Sequence, residues 1–250
     1  MIVTDLLMPP GMEPLIAAVL LGTSLTASFV TIAFGIGGGM LLLAVMASLV
    51  PPTALIPVHG LVQFGSNFGR TLLMFRYISW RHILTFTIGS LVGVAAGGAI
   101  AFNLPPAIVQ IGVGLFVIWS VFVHPPRWLR EIPILTGAVS SFLTMFFGAT
   151  GPFVATLSKS LALDRHRHVA THGAFMTIQH LLKTFMFGFI GFAFGPWLGF
   201  TIAMIVAGAI GTLLGRLVLN RISDQRFRLA LNVILVVLAL RLIISGMAAI

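Results

Sequence analysis

The chain is expected to fold as an all-α polytopic membrane protein made of two homologous, inverted halves, each with a glycine-broken short segment after its first helix. Three features predict this. Of 250 residues, 58% are hydrophobic and only 8% are charged, against about 25% charged in a soluble domain. Apolar runs of spanning length recur along the whole chain, with short connectors between them. Landmark residues return at one fixed interval. A soluble fold needs a polar outside, so the composition excludes a cytosolic enzyme, a disordered chain and a secreted scaffold. Cysteine is absent, which removes disulfides, thiolate catalysis and cysteine metal sites. At about 20–25 residues per span, the length accommodates roughly eight to ten segments in a single membrane domain, 1–250.

The elements follow in order. Residues 1–14 hold Asp5 and Glu13 but no Lys or Arg. They lack the basic start of a signal peptide, so the first apolar run, 14–34, is expected to be retained. Gly35-Ile36-Gly37-Gly38-Gly39 breaks the chain before a short segment, 40–49, which Pro51-Pro52 ends. Runs at 53–74, 83–101 and 106–123 come next, punctuated by Pro105-Pro106 and Pro125-Pro126. The second half opens with 132–147, then the break Gly148-Ala149-Thr150-Gly151-Pro152 and a short segment, 153–163. Runs at 169–190, 197–219 and 227–248 complete it, with Gly195-Pro196 as a turn.

The halves correspond residue by residue. Phe34-Gly35 and Phe147-Gly148, His59-Gly60 and His172-Gly173, and Arg70 and Lys183 are each 113 residues apart. The repeats are therefore about 1–124 and 130–250. Glycine-interrupted helices at matching places in two halves are a pointer to a secondary transporter and its binding site.

Charge gives the topology. Eight simple spans would place Arg76, Arg81, Arg127 and Arg130 opposite Lys159, Arg165, Arg167, Arg216, Arg221, Arg226 and Arg228. If 40–49 and 153–163 also change sides, all of these share one face. Each half then makes an odd number of passes and the two are inverted. Lys and Arg mark the cytoplasmic side, so the charged loops are expected inside and both termini outside, in the inner membrane. The net charge of +9 follows from those loops. A nucleic-acid partner would need a basic face on a soluble domain, and none is foreseen.

Two constellations carry chemistry. The first is the pair of breaks, with Gly37, Gly38, Gly39, Thr150 and Gly151. Glycine exposes backbone N–H groups without side-chain obstruction, and a restarting helix offers unpaired donors and a positive dipole end. Two such ends suit a small anion; close packing through small residues, as at Gly93 and Gly97, is the alternative. The second is a polar stripe after each break. His59, Gln63, Ser66, Asn67 and Arg70 fall within roughly a 100° sector of one helix. His172, Gln179, His180 and Lys183 repeat it, with Met176 in the place of Gln63. Such a face must look into the bundle or a wet cavity. Lys183 lies well inside its run, where a charge costs about 2.5–3.5 kcal/mol on insertion scales; an anionic substrate would offset that. Arg70 lies nearer a segment end, where snorkelling to the interface competes with substrate contact. The histidines suit interhelical hydrogen bonds or substrate contact, and His180 suits a proton carrier.

No run carries an Asp or Glu in its interior. Cation transporters commonly place carboxylates there, so the pattern favours an anion as partner, beside the bilayer itself. Walker A, HExxH and GxSxG patterns are absent. His166 and His168 stand in a basic loop that reads as solvated; no metal, cofactor or catalytic residue is expected. An intramembrane enzyme, a passive anion channel and a subunit of a larger complex are the competing functions. A homodimer is compatible with the sequence.

At these residues the chain resembles the TauE/SafE family of sulfite and organosulfur-anion exporters. The resemblance rests on Phe34-Gly35-Ile36-Gly37-Gly38-Gly39 with the proline pair that follows and on Arg76-Tyr77-Ile78-Ser79-Trp80. The Gly93–Gly98 stretch and His180-Leu181-Leu182-Lys183 add to it. It implies export of a small sulfur-containing anion such as sulfite, sulfoacetate or a related sulfonate, coupled to protons or to the membrane potential. The second break is poorer in glycine than the family's usual version, and His180 stands where Asn is frequent. Both departures leave room for a substrate other than sulfite.

Overall fold

A computed structural model of the chain describes residues 8–34, 37–101, 105–123, 125, 126, 129, 131–218 and 224–249. Among these are ten α-helices. In the first half they are α1 (Pro14–Phe34), α2 (Gly38–Leu49), α3 (Pro52–Leu73), α4 (Trp80–Ala101) and α5 (Pro106–Phe122). In the second they are α6 (Pro133–Phe147), α7 (Gly151–Ser160), α8 (Arg165–Phe189), α9 (Gly195–Val218) and α10 (Asp224–Met247). A single 3₁₀ turn, Phe75–Tyr77, separates α3 from α4. The all-helical expectation holds, and the helices follow the apolar runs closely.

Pro stands at the first turn of α3, α5 and α6, where its missing N–H is no loss. Gly37 ends the first break at φ 104° and Gly148 starts the second at φ 77°, left-handed geometry that a side chain rarely adopts. The loop glycines of both halves therefore set where α2 and α7 begin. Gly38 and Gly151, the first residues of those helices, are 113 apart, as are Pro52 and Arg165. α2 has 12 residues and α7 has 10. At 1.5 Å per residue they measure roughly 18 and 15 Å, about half a ~30 Å hydrocarbon core.

Among the described residues, Pro14–Ala33, Trp80–Ala101, Gly195–Leu217 and Leu229–Met247 are long and apolar enough to cross a membrane alone. These helices turn large hydrophobics outward, including Leu84, Leu91, Ile202, Val206, Val233 and Val237. α3 and α8 are as long, but their polar stripes are buried at the centre.

Helix directions can be read from the glycine contacts. Gly89 and Gly93 of α4 sit on the carbonyl oxygens of Ile134 and Ala138 of α6, at a constant separation, so α4 and α6 run parallel. Gly211 and Gly215 of α9 meet the carbonyls of Leu25 and Phe29 of α1 in the same way. Gly114 of α5 faces the Ala239 carbonyl while Gly246 of α10 faces that of Ala107, so α5 and α10 are antiparallel. Gly60 of α3 faces Lys183 and Gly173 of α8 faces Arg70; α3 and α8 are antiparallel too. In lipid there is no hydrophobic drive between helices, so close packing through small residues has to bind them. Polar bonds add to it: Ser24 Oγ donates to the Met204 carbonyl (2.7 Å), and Thr71 and Thr177 hydroxyls meet at 2.8 Å.

The Tyr77 and His166 rings lie 5.4 Å apart, and Ser79 N–H donates to Thr171 Oγ1 (3.0 Å). The α3–α4 and α7–α8 connections thus share one end of the bundle. At the other end, Pro52, Ala101, Pro106 and Ile190–Phe192 surround an apolar cavity of about 280 Å³.

A methyl at Gly93 would overlap the Ala138 carbonyl oxygen, whereas one at Gly69 meets nothing within 4 Å. Gly93→Ala is expected to cost more than about 3 kcal/mol, beyond ordinary overpacking, because backbone cannot step aside. Gly69→Ala should be neutral or slightly stabilising. Melting of the detergent-purified proteins separates the two; equal melting temperatures would contradict this packing.

Candidate functional site

α3 and α8 cross at the level of the two breaks. His59, Gln63 and Asn67 follow at successive turns of α3, and His172, Met176 and His180 at successive turns of α8. Together with Gly37, Gly39, Ala149, Gly151 and Pro152 they line a cavity of about 40 Å³; Thr31 and Met40 complete it. A water needs roughly 10–15 Å³ of such space, so the cavity suits a few waters or one small oxyanion. The first turns of α2 and α7 both reach it, and neither helix has a side-chain N-cap bond. Their dipoles place partial positive charge there.

His59 is fully buried, and its Nε2 lies 3.0 Å from the Gly39 carbonyl. A carbonyl only accepts, so Nε2 carries the proton and Nδ1 is left as an acceptor. That Nδ1 has no partner, nor has Nδ1 of His180. The two rings face each other edge to face, 5.9 Å apart. Asn67 Nδ2 donates to the Gln63 carbonyl (2.7 Å) and to Gln63 Oε1 (3.2 Å). Ser158 Oγ lies 3.3 Å from His172 Nδ1.

Of the thirteen candidates, Gly37, Gly39, His59, Gln63, Asn67, Gly151, His172 and His180 meet at this cavity. Gly38, Arg70, Thr150, Gln179 and Lys183 lie outside its lining. Gly38 is pressed against α1: a Cβ there would overlap the Ala27 carbonyl and Thr31 Oγ1. Thr150 Oγ1 donates to the Ser140 carbonyl (3.0 Å) and to Gln179 Oε1 (3.3 Å), and Gln179 Nε2 donates to Ser140 Oγ (2.9 Å) and Ser141 Oγ (3.3 Å). This network ties α6, α7 and α8 together. Ser66 of the stripe turns to α1, 3.2 Å from Ser28 Oγ.

The two cations lie one on each side of the cavity residues. Lys183 is fully buried, and its Nζ donates to the Gly148 carbonyl (3.0 Å), which also accepts from Thr144 Oγ1 (3.0 Å). Arg70 does not snorkel. It is 4% exposed, Nη1 donates to Asn67 Oδ1 (3.3 Å), and Nε has no partner. The crossing with α8 holds it inside, where its Cδ passes Gly173 as Lys183 Cε passes Gly60. No carboxylate among the described residues hydrogen-bonds either cation. Arg70 and Lys183 therefore hold positive charge beside the lining, and the two helix N-termini reach the cavity itself.

Sequence reasoning did not find Thr31, Met40, Ala149 and Pro152 as lining residues. It also missed Ser140 and Ser141, though a serine pair in an apolar run was a visible signal. His166 and His168 were expected in a solvated loop but stand in the first turn of α8: the His166 ring is tilted against Tyr77, while His168 Nδ1 lies 3.1 Å from the Ser158 carbonyl. Burial holds the His168 imidazole below its ordinary value; the Ser158 carbonyl works against that shift, and nearby Lys159 adds to it. No cluster of metal-binding side chains occurs among the described residues.

A helical bundle with apolar outer helices around a small polar cavity marks a polytopic membrane protein. The sulfite exporter TauE/SafE family model matches residues 20–242, and the chain belongs to that family. No curated protein and no solved structure matches it.

Proposed function

We propose that the protein exports a small sulfur-containing anion, such as sulfite, sulfoacetate or a related sulfonate, across the inner membrane by alternating access. The observation that carries this is the small polar cavity between two buried, carboxylate-free cations, Arg70 and Lys183. The family supplies the sulfur chemistry and the direction. Antiparallel crossing of α3 with α8 and of α5 with α10, helices that correspond at the 113-residue repeat, supports two inverted halves, about 1–124 and 130–250. In this reading the break plus short helix completes a crossing in each half. The Arg-rich loops face the cytoplasm, both termini face outside, and protons or the membrane potential drive the cycle. Irregular backbone at mid-membrane is tolerated because it lines a cavity.

Counterflow in proteoliposomes tests the proposal. Labelled sulfite should accumulate against excess internal sulfite or sulfoacetate and fail to do so against chloride. Flux that runs without trans-acceleration would instead mark a passive channel. Lys183→Met should lower sulfite affinity about ten-fold or more, with Lys183→Arg intermediate, since charge survives but shape changes. Unchanged affinity in Lys183→Met would remove charge recognition from the mechanism.

A further inference from the structure

We propose that the Lys183–Gly148 contact, seated over Gly60, is the gate between the polar cavity and the 280 Å³ apolar cavity, which serves as its vestibule. The inference rests on the transporter reading for its purpose, but not for its geometry. Three chain segments change cavity at one level. On α3, Pro57 lines the apolar cavity and His59 the polar one, with Gly60 beside His59. Around the second break, Met145 and Phe146 line the apolar cavity and Ala149 the polar one, with Gly148 between. On α8, Phe187 lines the apolar cavity and His180 the polar one, with Lys183 between.

The Lys183 ammonium spans this level, from α8 to the Gly148 carbonyl. Glycine at 60 leaves this path open, because a methyl there would lie 2.6 Å from Lys183 Cε and 3.5 Å from Nζ and would push the flexible side chain aside. The vestibule is walled by helix ends, Pro52, Ala101, Pro106 and Ile190, so it sits at the end of the bundle away from the Tyr77–His166 contact. A lysine is suited to this task. Its flexible stem can swing the charge off a carbonyl, and a passing anion offers the ammonium a stronger partner than the carbonyl does. The gate thus opens toward the ligand it admits. At the opposite crossing the same position is looser, since a methyl at Gly173 would find Arg70 Cδ at 3.5 Å, ordinary contact distance. Gly60 is therefore the positioning residue of a closed gate at the vestibule end.

The chain has no cysteine, so single cysteines report access. Thr53→Cys marks the vestibule and Ala149→Cys the polar cavity. Both are tested in the full-length protein, in vesicles of whichever orientation labels position 53, with an impermeant methanethiosulfonate sulfonate. Position 53 should label at one rate throughout. Position 149 should label slowly in the parent and about ten-fold faster in Lys183→Met, as expected when one charge-assisted hydrogen bond no longer holds the closed state. Gly60→Ala keeps the charge and displaces the side chain, so it should produce the same acceleration; it decides the matter if Lys183→Met does not purify as a single species. Unchanged labelling of position 149 in a folded variant, or parent labelling as fast as at position 53, would overturn the gate. Labelling requires no sulfite flux, so a failed gate and a failed sulfite assay are separate results.

Discussion

Gly38→Ala is expected to yield no stably folded protein, whereas Gly39→Ala should fold and lose the proposed sulfite transport. The two residues are neighbours in a run of three glycines, yet a Cβ meets different surroundings at each. At Gly38 it would overlap the Ala27 carbonyl and Thr31 Oγ1 of α1. Relieving that overlap means parting two helices, at a cost above the usual ~1–3 kcal/mol of overpacking. At Gly39 it would find only the Gln63 amide, 3.5–3.6 Å away, and gain about 1 kcal/mol of helix propensity. The methyl enters a cavity of about 40 Å³, which holds only a few waters at roughly 10–15 Å³ each. Monodispersity and melting in detergent test the first substitution, and sulfite counterflow at unchanged melting temperature tests the second. Transport at the parent rate by Gly39→Ala would place the substrate elsewhere.

Arg70→Met is expected to fold as well as the parent and to bind the anion about 100-fold more weakly, close to 2.7 kcal/mol. Arg70 is buried with one hydrogen-bond partner, Asn67 Oδ1, and an unsatisfied Nε. An uncompensated buried cation destabilises the empty protein, and an apolar residue of similar volume often relieves that cost by about 1–4 kcal/mol. Melting temperature should therefore hold or rise as affinity falls, a combination that a merely structural role would not give. Arg70→Lys reproduces the residue that stands at the corresponding place in the other half, Lys183, and should recover part of the affinity. The measurements are sulfite binding by calorimetry and melting on the same preparations. A fall in both together would make Arg70 a packing residue.

Much of this was legible in the sequence, for identifiable reasons. Stripe spacing put His59, Gln63 and Asn67 on one face because a helix has a fixed period and lipid satisfies no polar group. Glycine runs located both breaks, since only glycine takes φ 104° and 77° without strain. Other features depend on neighbours that spacing does not name. Gly38 and Gly39 look alike until α1 is placed beside one of them. Gln179 sits in the stripe, but Ser140 and Ser141 of α6 occupy its amide. Arg70 lies near a segment end, and only the crossing at Gly173 shows that it turns inward. Lys183 was readable as a buried charge, though not as a ligand of the Gly148 carbonyl.

The pairing of α1 with α9 sets the order in which the molecule can be built. Gly211 and Gly215 meet carbonyls 186 residues earlier in the chain. At about 5–20 residues per second, α1 waits roughly 10–40 s for its main neighbour after it leaves the ribosome. α3 emerges with its stripe of His59, Gln63, Asn67 and Arg70 well before α8 exists to cover it. Assembly therefore closes from the C-terminal quarter, and a nascent chain halted before α9 would leave Ser24 without the Met204 carbonyl. The Ser24 hydroxyl is thus the polar group on α1 whose partner is made last.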